Sequence, residues 1–116
     1  IVDSLVGSEM CIRDRGIAVK AKIKPSIIRK ALLGGYANSK ILEIHGERMI
    51  KSDYKPGFKL SLHNKDLKIA KSLMKTLGLN LKGLNEVQKI MNNAENDGYS
   101  EYDSSIIHRI LEKTYK

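Results

Sequence analysis

The sequence predicts an all-α fold, a small helical bundle built as one domain. Proline, glycine and polar capping residues recur at the ends of segments whose apolar residues fall three or four positions apart, which is the helical pattern. No segment alternates apolar and polar residues over the length of a convincing strand. A chain of 116 residues is long enough for a single small hydrophobic core.

Residues 1–15, IVDSLVGSEMCIRDR, differ from the rest of the chain because they show neither helical periodicity nor strand alternation. The segment resembles the peptide that results when sequencing-adapter DNA is translated in frame at the end of an assembled fragment. It does not resemble a signal peptide, since its charges come last and Asp3 and Glu9 interrupt the apolar residues. We therefore predict an artefactual leader over residues 1–15 that lies outside the fold, and a helical domain over residues 16–116.

Two helices are predicted after the leader. Pro25 suits the first turn of a helix, where its missing N–H leaves no hydrogen bond unmade. The pair Gly34-Gly35 is expected to end that helix in the left-handed conformation. Asn38 or Ser39 can cap the second helix. The apolar residues expected to face inward are Ile27, Ile28, Ala31, Leu32, Ile41, Leu42 and Ile44.

The longest predicted helix runs from Leu60 to Leu77 and ends at Gly78. A turn cluster over residues 52–57 precedes it and leads into Phe58, the only phenylalanine in the sequence. Plotted at about 100° per residue, the helix has an apolar arc on one side and a lysine stripe on the other. The arc contains Leu60, His63, Leu67, Ala70, Leu73, Met74 and Leu77, and the stripe contains Lys68, Lys71 and Lys75.

Asp66 falls inside the apolar arc, and Lys65 stands at its edge beside Ile69. A buried carboxylate is unfavourable unless it is paired or hydrogen-bonded. One interpretation is structural: Asp66 caps or pairs with a neighbouring element, and Lys65 reaches past the core into water. The other is functional: this edge of the helix faces a site in another domain or subunit, where the ammonium meets a phosphate or a carboxylate. The helical pattern alone favours the structural interpretation.

Two further helices complete the predicted bundle, one from about Leu84 to Asn96 and one from Ser104 to Lys113, the second capped by Asp103. Their inward residues are expected to be Leu84, Val87, Met91, Ile106, Ile107, Ile110 and Leu111.

The composition limits the classes of function. The formal charge of +8 raises the question of nucleic acid, but the lysines are spread along the whole chain and aromatic residues make up only 5%. Solvated lysine faces explain this charge better, so nucleic acid is not the expected partner. A small basic helical module that binds nucleic acid, or an interaction module that needs a partner to cover its apolar faces, is the alternative.

Neither a membrane nor a metal is expected. No apolar run approaches the ~20 residues of a membrane span, so we predict a cytoplasmic protein. Cys11 is the only cysteine, which excludes an intramolecular disulfide and a thiolate metal cluster. The three histidines lack the close paired spacing of a helical metal site.

Several segments, in this order and spacing, resemble the C-terminal domain of the β-hydroxyacid dehydrogenase family, which includes 3-hydroxyisobutyrate dehydrogenase and 2-hydroxy-3-oxopropionate (tartronate semialdehyde) reductase. The resemblance begins at Lys24-Pro25 and runs to the C-terminus. Its most diagnostic stretch is a Pro-Gly-Phe turn that leads into a Lys-Asp-Leu helix. The matching segments are residues 31–39 (ALLGGYANS), 41–43 (ILE), 45–49 (HGERM), 54–59 (YKPGFK), 62–67 (LHNKDL), Gly98 and 103–105 (DSS).

The resemblance implies the C-terminal domain of a two-domain dehydrogenase whose N-terminal Rossmann domain is missing. It implies NAD or NADP as the cofactor, a short hydroxy acid as the substrate, and a homo-oligomer in the intact enzyme. By the same resemblance, Lys65 contacts the cofactor, while Phe58 and Asp66 lie near the substrate cleft. The family's catalytic lysine and asparagine lie upstream of the matching region, so no catalytic residue is expected here and the chain alone is predicted to be inactive.

Overall fold

Within residues 2–115, which the computed structural model describes, the chain forms six α-helices and one short 3₁₀ turn. Those described residues contain no β-strand, only an isolated antiparallel bridge between Lys59 and Asp103. The all-α prediction is therefore confirmed. The helices are α1 (Val2–Lys20), α2 (Pro25–Leu33), α3 (Lys40–Lys51), α4 (Leu60–Thr76), α5 (Lys82–Asn96) and α6 (Ile107–Glu112), with the 3₁₀ turn (Ser104–Ile106) directly before α6.

The core lies where α4 packs on α5 and where α1 packs across α3 and α6. One side of each helix supplies it, at the spacing of three or four residues that the sequence shows. The inward residues predicted for α5 are buried, and so are the first two predicted for the C-terminal segment. Core residues include Ile12, Met49, Tyr54, Leu60, Leu67, Met74, Leu84, Val87, Met91, Ala94, Ile106 and Ile107.

The leader departs from the prediction, because the structure places its described residues inside the fold as the N-terminal part of α1. Ile12 is only 1% exposed and belongs to the core. Ser8 Oγ lies 2.7 Å from Nδ1 of His45, on α3. These contacts have no counterpart in the sequence pattern, since apolar residues in the leader do not repeat at helical spacing. The origin of the leader as translated adapter DNA stays a prediction. The two predicted ranges also include Ile1 and Lys116, which lie outside the described residues.

The helix α2 contributes less than predicted, because none of its residues is buried and Ile27 is among the exposed apolar residues. The expected left-handed end is also wrong at Gly34, whose φ of −81° is right-handed. The glycines that do adopt positive φ are Gly78 and Gly98. Gly78 follows the last residues of α4, so this helix stops within one residue of its predicted end.

Two predicted caps are confirmed. The Ser39 hydroxyl accepts a hydrogen bond from the backbone N–H of Leu42 at 3.0 Å, at the start of α3. The Asp103 carboxylate accepts one from the N–H of Ser105, also at 3.0 Å. The first turn after Asp103 is 3₁₀ rather than α-helical, a common form for a helix terminus.

No helix among the described residues combines the length and the apolar character needed to cross a membrane.

Candidate functional site

The helix α4 has two apolar sides. Its core side carries Leu60, His63 and Leu67, all buried as predicted. Leu73 and Leu77, which the sequence analysis places in the same arc, are instead 58% and 62% exposed. Both are turned toward the opposite side, where a line of exposed apolar residues runs along the helix. This outer line of α4 consists of Leu62, Ile69 and Leu73, and Leu77 continues it directly after the helix.

Lys65 and Asp66 lie on the same outer side of α4. Lys65 follows Leu62 by three positions, and Asp66 precedes Ile69 by three, so both flank the outer line. The Lys65 side chain is 63% exposed and the Asp66 side chain 23%, and Lys65 Nζ is 3.7 Å from Asp66 Oδ1. Asp66 is thus partly covered but not in the core, because it lies outside the side of α4 that faces the core.

Phe58 lies immediately before α4 and is 41% exposed. Its ring meets the ring of buried His63 edge-on, with 5.0 Å between centroids and 64° between planes. This geometry is favourable for aromatic pairs. Within residues 2–115, no hydrogen bond, ion pair or ring contact joins Phe58 directly to Lys65 or Asp66. The structure therefore places Phe58 just before α4, against His63, and Lys65 beside Asp66 within α4.

The turn that carries Phe58 is held by a buried carboxylate. Asp103 is 2% exposed, and its Oδ2 accepts hydrogen bonds from the N–H groups of Gly57 at 3.1 Å and Phe58 at 3.0 Å. Its Oδ1 accepts from the N–H of Ser105 at 3.0 Å and from the Ser105 hydroxyl at 2.6 Å. A carboxylate with this many donors is stabilised in its ionised form.

The hydrogen bonds also set the acidity of Asp103. Burial alone would raise the pKa of this carboxyl group, but the bonds from Ser105 and Phe58, together with the nearby Arg48 cation, outweigh burial and hold the pKa below its ordinary value of 3.8. Asp103 is therefore ionised at neutral pH despite its burial.

Arg48, in the last turn of α3, completes this support. Its Nη1 lies 3.6 Å from Asp103 Oδ2 and donates to the backbone carbonyl of Lys55 at 2.6 Å. A Cβ added to Gly57 would lie 2.9 Å from Arg48 Nη2, so any side chain at this position would require the guanidinium to shift. Sequence analysis missed Arg48 entirely and assigned Asp103 only a capping role. The glycine after Pro56 is the one signal that a close neighbour covers the turn.

Within the part of the chain that the structure describes, the remaining charged groups form no second site with as many hydrogen bonds. On the lysine stripe, Lys68 pairs with Glu95 of α5 at 3.4 Å. Among the described residues there is no group of three or more His, Cys, Asp or Glu side chains that could hold a metal ion. The outer side of α4 and the Phe58 turn are therefore the candidate site.

The domain that carries this site matches a family of NAD-binding domains. Residues 8–111 match the family described as "NAD-binding of NADP-dependent 3-hydroxyisobutyrate dehydrogenase". Because the match covers most of the chain, this protein belongs to that family. The match also includes the second half of the leader.

Curated relatives agree with the family. The chain is 46% identical over 95 residues to 2-hydroxy-3-oxopropionate reductase of Escherichia coli K12, covering 82% of this chain and 32% of the relative. It is 29% identical over 96 residues to "Probable 3-hydroxyisobutyrate dehydrogenase-like 1, mitochondrial" of Arabidopsis thaliana, covering 83% of this chain and 29% of the relative. The chain thus spans about a third of the length of the curated relatives it matches.

Solved structures share the fold. A 3-hydroxyisobutyrate dehydrogenase from Salmonella typhimurium superposes with a TM-score of 0.87 at 21% identity, covering 94% of this chain and 38% of that chain. A 3-hydroxyisobutyrate dehydrogenase from Mycobacterium tuberculosis, solved with L-serine, gives a TM-score of 0.85 at 18% identity, covering 95% of this chain and 40% of that chain. The helical arrangement is therefore one found within larger dehydrogenases.

Proposed function

We propose that this chain is the helical part of an NAD(P)-dependent β-hydroxyacid dehydrogenase and that the outer side of α4 closes over the cofactor and the substrate. The reaction of the intact enzyme is reversible hydride transfer between the nicotinamide and the carbonyl of a short 2-hydroxy-3-oxo or 3-hydroxy acid. The 46% identity to a 2-hydroxy-3-oxopropionate reductase favours the first of these substrates.

One observation carries the proposal: Lys65 and Asp66 stand within an exposed line of apolar residues on the side of α4 that faces away from the core. Exposed apolar surface of this kind marks a place where another domain or molecule packs. Four large aliphatic side chains exposed along one side are unfavourable in water, so we expect another surface to cover them. The partner we propose for this surface is the Rossmann domain that the family resemblance implies.

The chemistry of Lys65 fits a nicotinamide cofactor. Its ammonium is exposed, and its one ion-pair partner among residues 2–115 is Asp66, at 3.7 Å, which is longer than a hydrogen bond. The cation is therefore available to a ribose or phosphate group of the cofactor. The nicotinamide, when bound, supplies the hydride.

Phe58 and Asp66 have supporting roles in the proposal. The half-exposed ring of Phe58, fixed edge-on against His63, forms an apolar wall of the cleft and excludes water from one side of the substrate. Asp66 orients Lys65 from the next position of the helix. The groups that transfer protons are expected in the missing domain, so the 116-residue chain alone is inactive. A homo-oligomeric assembly and a cytoplasmic location also remain predictions.

The test is Lys65→Ala in the full-length enzyme recovered from the source DNA, with Lys71→Ala as the matched control. Lys71 is on the same helix, exposed and equally charged, but on the lysine stripe. We expect Lys65→Ala to raise the KM for NAD(P)H or to lower kcat by about tenfold or more, the loss of one charge-assisted contact, with an unchanged melting temperature. An upstream reading frame without a Rossmann domain, or Lys65→Ala kinetics equal to those of Lys71→Ala, would overturn the proposal.

A further inference from the structure

The Phe58 turn is bound by two charged side chains that come from distant parts of the chain. Asp103 follows α5, and Arg48 belongs to α3. Together they contact three residues on the two sides of Pro56: Asp103 accepts from the N–H groups of Gly57 and Phe58, and Arg48 donates to the carbonyl of Lys55. The turn thus has few conformations open to it while both charges are present.

The start of α4 is also attached to the loop between α5 and the 3₁₀ turn, by backbone hydrogen bonds that do not involve these charged side chains. The N–H of Leu60 donates to the carbonyl of Tyr102 at 2.8 Å, and the N–H of Ser61 donates to the carbonyl of Ser100 at 3.1 Å. The N–H of Ser104 donates to the carbonyl of Phe58 at 3.0 Å. These bonds join backbone groups and do not involve the Asp103 carboxylate. The carboxylate therefore controls the orientation of residues 57–58 more than the attachment of the helix.

We propose that Arg48 and Asp103 are positioning residues for the substrate cleft: they fix the Gly57-Phe58 peptide and so set the place and angle of the Phe58 wall at the start of α4. This inference rests on the proposed function for the role of Phe58. Neither residue touches the substrate itself. They act through the two N–H groups and the one carbonyl that they hold.

Gly57 gives the pair its close fit. The added Cβ that would lie 2.9 Å from Arg48 Nη2 would also lie 3.3 Å from Asp103 Oδ2. Both distances are shorter than ordinary contacts, so a side chain at position 57 would push the guanidinium off the turn. We therefore expect a side chain at position 57 to change the position and exposure of the Phe58 ring.

The sequence offers a direct probe, because Phe58 is its only phenylalanine. Biosynthetic incorporation of 4-fluorophenylalanine into the 116-residue chain gives a single ¹⁹F resonance at the proposed wall. We expect one narrow line in the unaltered protein. In Asp103→Asn, whose amide cannot accept all of the same donors, the line should shift and broaden as the turn samples several orientations.

The matched control is Asp97→Asn, which removes an equal charge at an exposed position just after α5. Its ¹⁹F line should stay where it is in the unaltered protein. Arg48→Gln is the second test variant, and it should shift the line in the same direction as Asp103→Asn by a smaller amount. If Asp103→Asn loses its helical circular dichroism and so does not fold, the ¹⁹F line of Arg48→Gln is the test of the inference. An unshifted, narrow line in a folded variant of either residue would overturn the inference.

A kinetic measurement on the full-length enzyme separates this inference from the proposed function. Asp103→Asn should raise the KM for the hydroxy acid by about tenfold, the size of effect expected from a displaced contact, while the KM for NAD(P)H changes by less than about twofold. Equal changes in both constants would overturn the positioning role. If the ¹⁹F line moves in Asp103→Asn but Phe58→Ala leaves the KM for the hydroxy acid unchanged, the proposed cleft role of Phe58 has failed instead.

Discussion

Tyr54 places its hydroxyl 2.8 Å from Nδ1 of His108, and this buried contact joins the segment before the Phe58 turn to α6. The other ring nitrogen of His108 lies 3.2 Å from the hydroxyl of Tyr115. The Tyr115 ring in turn covers Gly16 on α1. Two phenols and one imidazole thus tie together three segments that are far apart in the sequence.

Replacing Tyr54 with phenylalanine should lower the free energy of unfolding by about 1–3 kcal/mol, since it removes a hydrogen-bond partner from a buried histidine. Burial of the Tyr54 phenol, which raises its pKa, places this bond where water cannot replace it. Urea denaturation followed by circular dichroism measures the change. Tyr36→Phe, at a fully exposed position, is the control and should be neutral. Equal effects in the two variants would show that the bond contributes nothing.

Gly16→Ala should also destabilise the protein. The new Cβ would lie 2.7 Å from Cδ1 of Tyr115, so the ring must move, at a cost of about 1–3 kcal/mol. Gly83→Ala makes the same chemical change inside α5, where a new Cβ meets nothing within 4 Å. That control should be stabilised by about 0.5–1 kcal/mol because alanine favours helix. Thermal melts of the two variants should therefore move in opposite directions.

The leader offers a test of whether residues 1–15 belong to the fold. Ile12→Ala should lower the free energy of unfolding by about 2–5 kcal/mol, because it empties a core position. Met10→Ala changes an exposed side chain of the same helix and should alter the stability by about 0.5 kcal/mol or less. If both variants melt like the unaltered chain, α1 does not pack as described.

His45 should make the stability depend on pH. Burial is the main reason that the pKa of His45 lies below its ordinary value of 6.5. As the pH falls below 6.5, the unfolded chain takes up a proton that the folded chain does not, so the folded state loses stability until the lowered pKa is passed. His45→Gln should flatten this part of the pH profile. Melting temperatures of both proteins between pH 7.5 and 5 provide the comparison, and parallel profiles would contradict the prediction.

Much of the fold is predictable from the sequence because local signals agree with it. Ser39, Gly78 and Asp103 stand at helix ends for reasons that hold in any helix. The repeat of apolar residues likewise identifies the inward side of α5. These features depend on neighbours within a few positions, which a single sequence displays.

Long-range features were not predictable in the same way. Nothing near Arg48 in the sequence indicates that its guanidinium covers Gly57, and nothing in the leader indicates that Ile12 is buried. The exposure of Leu73 has a different cause: α4 is apolar on two sides, and the helical pattern alone does not say which side the rest of the chain covers. The resemblance to the dehydrogenase family, by contrast, singled out Phe58, Lys65 and Asp66 as site residues, and their roles stay a prediction.

The two-sided character of α4 also governs how the isolated chain must be handled in the laboratory. The isolated chain should bind to hydrophobic-interaction resin and aggregate as it is concentrated, because it exposes an apolar surface made of Leu62, Ile69, Leu73 and Leu77. Leu73→Glu should reduce this aggregation. In the full-length enzyme, Leu73→Glu would place a charge in the proposed contact with the Rossmann domain and should weaken that contact.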